Sequence, residues 1–242
     1  SKRVNAVRKG FNKAGGDSSL SNTNNTPTEY TQKNSNMSIE EYINRGRERE
    51  NSKDYSGAIS DFTNAIRIKP DYGFAYFYRG NSKARAKDYY GAIADFTKAI
   101  EIDPNYASAY YNRGISKQYG LKDDYGAIAD FTKAIELDPN DADAYYIRGL
   151  SKNDLKDYYG AIADYTKAIE IDPNSSDAYY NRGISKQYGL KDYYGAIADF
   201  TKAIEIDPNY ASAYYNRGNS KARAKDYYGA IADFTKAIEI DP

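Results

Sequence analysis

Six near-copies of one segment make up most of this chain, and no other feature restricts its fold as much. The block Gly-Ala-Ile-Ala-Asp-Phe, or a close variant, starts at Gly57, Gly91, Gly126, Gly160, Gly195 and Gly229. Upstream of each, an Arg-Gly pair ends at Gly46, Gly80, Gly114, Gly149, Gly183 and Gly218. Pro70, Pro104, Pro139, Pro173, Pro208 and Pro242 close the copies at spacings of 34, 35, 34, 35 and 34 residues. Gly80–Pro104 recurs without a change at Gly218–Pro242, which points to duplication within the array. A segment this short cannot bury an apolar face by itself, so the copies must stack on one another.

Within a copy the apolar residues fall at helical spacing twice. In the third, Ala109, Tyr110, Gly114 and Ile115 form one stripe, and Ala127, Ile128, Phe131, Ala134 and Ile135 form the next. Offsets of three and four define amphipathic helices rather than strands. An aspartate precedes the second helix in every copy, at Asp54, Asp88, Asp123, Asp157, Asp192 and Asp226, where its carboxylate can accept from the first-turn N–H groups. The residue before a proline avoids helix, so each Asp-Pro closes that helix. Asn105, Asn140, Asn174 and Asn209 are then expected to cap the helix that follows. The third and fifth copies carry one extra residue, in Tyr119-Gly120-Leu121 and Tyr188-Gly189-Leu190, where the glycine is expected to end a helix.

Composition removes several kinds of chemistry. The 242 residues include no His, Cys or Trp, which excludes imidazole and thiol nucleophiles, disulfides and zinc sites of the usual kind. Lys+Arg and Asp+Glu both number 34, and this balance lacks the basic footprint of a nucleic-acid binder. Asp138, Asn140 and Asp143 lack the glycine and glutamate that a calcium loop requires. No apolar run is long enough for a membrane span. We therefore expect no enzyme activity, no metal and no cofactor. The mean hydropathy of −0.85 suits stacked repeats, which need no deep central core.

The repeat resembles the tetratricopeptide repeat family over six units, 39–72, 73–106, 107–141, 142–175, 176–210 and 211–242. The family pattern falls on Tyr110, Gly114, Ala127, Phe131, Ala134 and Pro139 in the third unit. Two positions depart from it in every unit. The family's Leu is Arg (Arg45, Arg79, Arg113, Arg148, Arg182, Arg217), and its Tyr is Arg49, Lys83, Lys117, Lys152, Lys186 or Lys221. Each unit also has an aspartate in its second helix, so the arginine is expected to pair with it, as in Arg113 with Asp130. The resemblance implies an all-α solenoid, a right-handed superhelix of antiparallel helix pairs. It also implies a non-catalytic scaffold that binds an extended peptide or partner in a concave groove lined by first helices.

The groove positions opposite the packing stripe form rows. Phe77, Tyr111, Tyr146, Tyr180 and Tyr215 make one, and Asn44, Tyr78, Asn112, Ile147, Asn181 and Asn216 make the next. A turn later come Arg47, Asn81, Ile115, Leu150, Ile184 and Asn219. The asparagines resemble the ladder of the protein O-glycosyltransferase tetratricopeptide domain, since a primary amide both donates to and accepts from a peptide bond. They serve equally well to satisfy neighbouring helix termini. The tyrosines can stack on ligand side chains or on the next repeat. The basic groove of chaperone-tail binders is absent, because only Arg47 is basic in these rows.

Residues 1–37 do not repeat and carry six basic against two acidic side chains, leaving 38–242 with 28 against 32. This basic, Ser/Asn/Thr-rich segment reads as an arm. Self-association through the arm or through the C-terminal edge is the alternative function. There the last helix is expected to expose apolar surface near Ala230, Phe234 and Ile238. No secretory pattern is visible, so the expected location is cytoplasmic.

Overall fold

A computed structural model describes residues 37–242, and the basic arm lies outside those residues except at Met37. Among the described residues the protein is all-helical. Two compact units divide at Asp123 and Asp124. The first holds α1 (Ile39–Asn51), α2 (Tyr55–Ile68), α3 (Gly73–Arg85), α4 (Tyr89–Ile102) and α5 (Ala107–Ile115), followed by a π-helical turn, Ser116–Leu121. The second holds α6 (Asp124–Leu137), α7 (Ala142–Asp154), α8 (Tyr158–Ile171) and α9 (Ser176–Ile184). A second π-turn, Ser185–Leu190, then leads to α10 (Tyr193–Ile206), α11 (Ala211–Arg223) and α12 (Tyr227–Ile240). Within each unit every helix packs on the next in sequence, as a solenoid requires.

The helix boundaries follow from capping chemistry. Asp54, Asp88, Asp157, Asp192 and Asp226 each accept from the N–H of a glycine three residues on, at 2.9–3.0 Å. Ser38 and Glu41 form a reciprocal capping box at α1, with bonds of 2.7 and 3.2 Å. The second helices end in an extended residue before proline, for example Asp103 (φ −130°, ψ 97°). The asparagines after those prolines do not cap. Asn105, Asn140, Asn174 and Asn209 instead donate their N–H to Asp103, Asp138, Asp172 and Asp207 across the turn. The cap position is one residue later, filled by Asp141 and Ser175, which bond the helix, or by Tyr106 and Tyr210, which do not.

The first helices of the 34-residue copies end in a Schellman turn without glycine. Asp157 N–H donates to the Lys152 carbonyl and Lys156 N–H to that of Asn153, both at 2.9 Å. Lys53, Lys87, Lys156 and Lys225 therefore hold the left-handed conformation, with φ between 64° and 68°. Asp157 is at once the last residue of this turn and the cap of α8, which makes the connection very short. In the longer copies the extra residue is absorbed as a π-turn, and Lys122 and Lys191 take the left-handed position. Gly120 and Gly189, expected to be helix ends, lie inside these turns. A Cβ there would overlap the rings of Tyr89 and Tyr158. Close approach, not a positive φ, requires glycine at both sites.

Candidate functional site

The Arg-for-Leu departure builds a polar spine. Arg79 Nε and Nη2 grip Asp95 at 2.8 and 2.7 Å, Lys83 Nζ reaches the same carboxylate at 2.8 Å, and Arg79 Nη1 donates to Thr63 of the preceding helix at 3.1 Å. The Arg–Asp pair recurs as Arg45–Asp61, Arg148–Asp164, Arg182–Asp199 and Arg217–Asp233. Arg113 and Asp130 belong to different units. Every one of these arginines also lies over a tyrosine ring one turn earlier, at 5.4–5.6 Å. Burial pushes the Asp233 carboxyl up, but the hydrogen bonds and charges of Arg217 and Lys221 outweigh it and leave it below its ordinary value. The Asp95 bond raises the Arg79 guanidinium further. This spine ties each of these first helices to the second helix of its own repeat.

In the first unit much of the expected groove row lies inside the packing. Phe77, Asn81, Tyr111 and Asn112 are buried, while Asn44 is exposed and Tyr78 half-buried. Tyr78 stacks on Phe62 at 5.6 Å and also carries the Arg47 guanidinium over its ring. Asn112 donates to Asn81 Oδ1 at 3.2 Å.

In the second unit the tyrosine and asparagine rows interlock. Asn181 Nδ2 donates to Tyr146 Oη at 3.0 Å and to the Asp177 carbonyl at 2.8 Å. One repeat on, Asn216 Nδ2 donates to Tyr180 Oη at 3.0 Å and to the Ser212 carbonyl at 2.9 Å. Tyr188 Oη donates to Asn216 Oδ1 at 3.3 Å. Both amides thus spend their donors on their own helix and on the preceding repeat's tyrosine. Tyr180 carries Tyr210 on its ring, 4.8 Å between centroids, and burial pushes its phenol pKa up. Tyr215 and Tyr188 remain open, 54% and 59% exposed, and Asn219 is half-buried, lining a cavity with Tyr215 and α12. The second unit therefore brings together Tyr146, Tyr180, Asn181, Tyr215, Asn216 and Asn219 along α7, α9 and α11.

Two further features escaped the sequence reading. Tyr90, Tyr125, Tyr159, Tyr194 and Tyr228 stand at least 75% exposed at the start of successive second helices. Their signal was a tyrosine directly before Gly-Ala, doubled in four of the six copies. A cavity of about 540 Å³ also opens between α11 and α12. At this edge Ile238 is 65% exposed and Phe234 half-buried, as expected, but Ala230 is buried against its own repeat.

Comparison with known proteins fits this geometry. Residues 107–141, 142–175, 164–193 and 211–242 match models described as the tetratricopeptide repeat. Residues 83–118 and 188–224 match one described as the TPR repeat. The matches run unbroken from residue 83 to residue 242, and the chain belongs to the tetratricopeptide repeat family. Among solved structures, MamA is 28% identical with a TM-score of 0.65, over 67% of this chain and 94% of its own. YrrB, described as a TPR protein with an unusual peptide-binding site, is 26% identical with a TM-score of 0.67, over 75% and 92%. A tetratricopeptide repeat protein of Parabacteroides merdae shares the fold at 21% identity and a TM-score of 0.71, over 84% and 80%. No curated protein matches the chain. The class is that of protein–protein interaction scaffolds, and the tetratricopeptide fold is generally a non-catalytic interaction module. No described helix is long and apolar enough to cross a membrane.

Proposed function

We propose that the chain is a non-catalytic adaptor that holds an extended peptide against the first-helix face of its second unit. The observation that carries this reading is the interlocked row of Tyr146, Asn181, Tyr180 and Asn216, which fixes aromatic side chains in place before any ligand arrives. Rings already held lose little entropy on binding, and tyrosine is enriched among residues that dominate interface energy. Tyr188 and Tyr215 supply the open aromatic surface, and Asn219 a half-buried amide beside Tyr215. The peptide-binding site of the similar YrrB supports the same reading.

A peptide-display selection on the full chain tests it. Enriched peptides should bind the wild type and lose at least tenfold in affinity to the Tyr188→Ala/Tyr215→Ala double variant, whose helical content should stay that of the wild type. Equal binding to both chains overturns the reading. An acidic C-terminal tail peptide of the chaperone kind should not bind in the micromolar range, since the face lacks the paired cations such a carboxylate needs.

A further inference from the structure

The second unit is the acidic part of the chain. Residues 124–242 carry 14 basic against 20 acidic side chains. Two of the acids begin first helices. Asp143 in the first turn of α7 and Asp177 in the first turn of α9 each lie three residues before a row tyrosine, Tyr146 or Tyr180, and so share its helix face. Asp177 is held beside the rings, because Tyr210 Oη donates to its Oδ1 at 2.9 Å and Tyr210 packs on Tyr180. Asp143 is half-buried and has no hydrogen bond or ion pair with any described residue. Seven residues beyond Tyr180, Gln187 is only 5% exposed and its Oε1 has no hydrogen-bond partner. Carboxylates and an unmet amide oxygen all call for a donor. The first unit is unlike this, with Phe74 at the position of Asp177 and an exposed Arg47 over Tyr78.

We propose that the peptide held by this face is basic and is anchored by an arginine, whose guanidinium lies over Tyr146 and bonds the Asp143 carboxylate. The inference rests on the adaptor reading above and names the chemistry of its ligand. The chain itself shows what completes such a pair. In the spine, Arg148 lies over the Tyr145 ring at 5.6 Å and grips Asp164 through Nε and Nη2 at 2.9 and 2.7 Å. Asp143 and Tyr146 offer the same carboxylate and ring without the arginine. A lysine would meet the carboxylate as a point charge and lack the planar fork that both stacks on a ring and bonds two oxygens. Asp177, one repeat on, adds a second negative charge along the same edge of the face. Arg223 is exposed too, but in the last turn of α11, at the opposite end of the first helices.

The test selects short random peptides, displayed on phage, against the full chain. Those enriched are synthesised twice, with arginine and with its neutral isostere citrulline, and titrated. Arginine should be enriched at a fixed position. Citrulline there should weaken binding at least tenfold, and only the arginine form should weaken as salt rises. Asp143→Asn should lower affinity for the arginine form at least fivefold and leave the citrulline form as it was. Asp172→Asn, which removes an equal charge from the exposed turn after α8, should change neither. Enriched peptides without arginine, equal affinity of the two forms, or indifference to Asp143→Asn overturns the inference and leaves the adaptor reading standing. Failure of the adaptor reading shows differently, as no enrichment or as equal binding to the Tyr188→Ala/Tyr215→Ala chain, and takes the inference with it.

Discussion

The first and last helix pairs, α1–α2 and α11–α12, have the same architecture but opposite outer surfaces. α1 has Glu41 where each other first helix buries an alanine, and it uses that glutamate in a capping box with Ser38. The last pair has made no such change. From Gly218 onward it is an interior repeat copied verbatim, with Ile231 and Ile238 more than 60% exposed. Solenoid stability is close to a sum of repeat terms and neighbour interfaces, so a repeat copied from the interior keeps the face with which it stacks. Glu41 places a charge at the position where the other first helices bury alanine.

The sharpest test of this comparison uses one residue in two copies. Phe200 is fully buried beneath the following repeat, whereas Phe234 is its copy at the edge. Truncation to alanine should cost about 4 kcal/mol at Phe200 and about 2 kcal/mol at Phe234, read from denaturant melts. Equal costs would mean that the neighbouring repeat contributes nothing to that site. Next in size is an exchange of edge chemistry. Ala213→Glu brings the residue of α1 into an interior helix and should cost about 3 kcal/mol, because the carboxylate is buried without a cation. Glu41→Ala at the first edge removes only the capping box and should cost about 1 kcal/mol. If Ala213→Glu is as mild as Glu41→Ala, the small position is not what separates the two edges.

The polar spine carries a smaller effect, visible only in acid. Asp233 titrates below its ordinary value when folded, so its contribution is complete above the unfolded pKa and disappears as pH falls through the folded one. The stability difference between wild type and Asp233→Asn should therefore shrink as pH falls below the ordinary carboxylate range. A difference that grows as pH falls would reverse the sign and refute the pairing.

Local sequence and tertiary stagger explain which parts could be read in advance. The repeat, the paired helices and the aspartate caps depend on residues within a few positions of one another, and all are legible. So was the Arg–Asp pair, since a charge at every copy of an apolar position demands a partner. The tasks of Asn181 and Asn216 were not. Their partners, Tyr146 and Tyr180, are 35 and 36 residues away, and the bond depends on how one first helix is offset against the next. Asn112 shows the point from the other side. The residue at the tyrosine position before it is Phe77, which has no hydroxyl, and the amide turns to Asn81 instead. The π-turns were read as glycine helix ends because one inserted residue beside a glycine gives the same local signal, and only the nearness of Tyr89 and Tyr158 distinguishes the two.

The turn lysines give the smallest predicted effect. Lys156 holds φ at 64° because the bonds from Lys156 to Asn153 and from Asp157 to Lys152 close the Schellman turn in that geometry. A side chain there clashes with its own backbone at about 1–2 kcal/mol, a cost glycine does not bear. Glycine also loosens the unfolded chain, which returns part of that gain. Lys156→Gly should therefore stabilise by about 0.5–1 kcal/mol. Lys53 and Lys225 adopt the same conformation, at φ 64° and 68°, in the first and last pairs. Since the strain is confined to the turn, all three substitutions should raise the melting midpoint by the same amount, edge or interior. A gain at Lys156 well above that at Lys53 and Lys225 would mean that neighbouring repeats, and not the turn's own hydrogen bonds, hold the lysine in place.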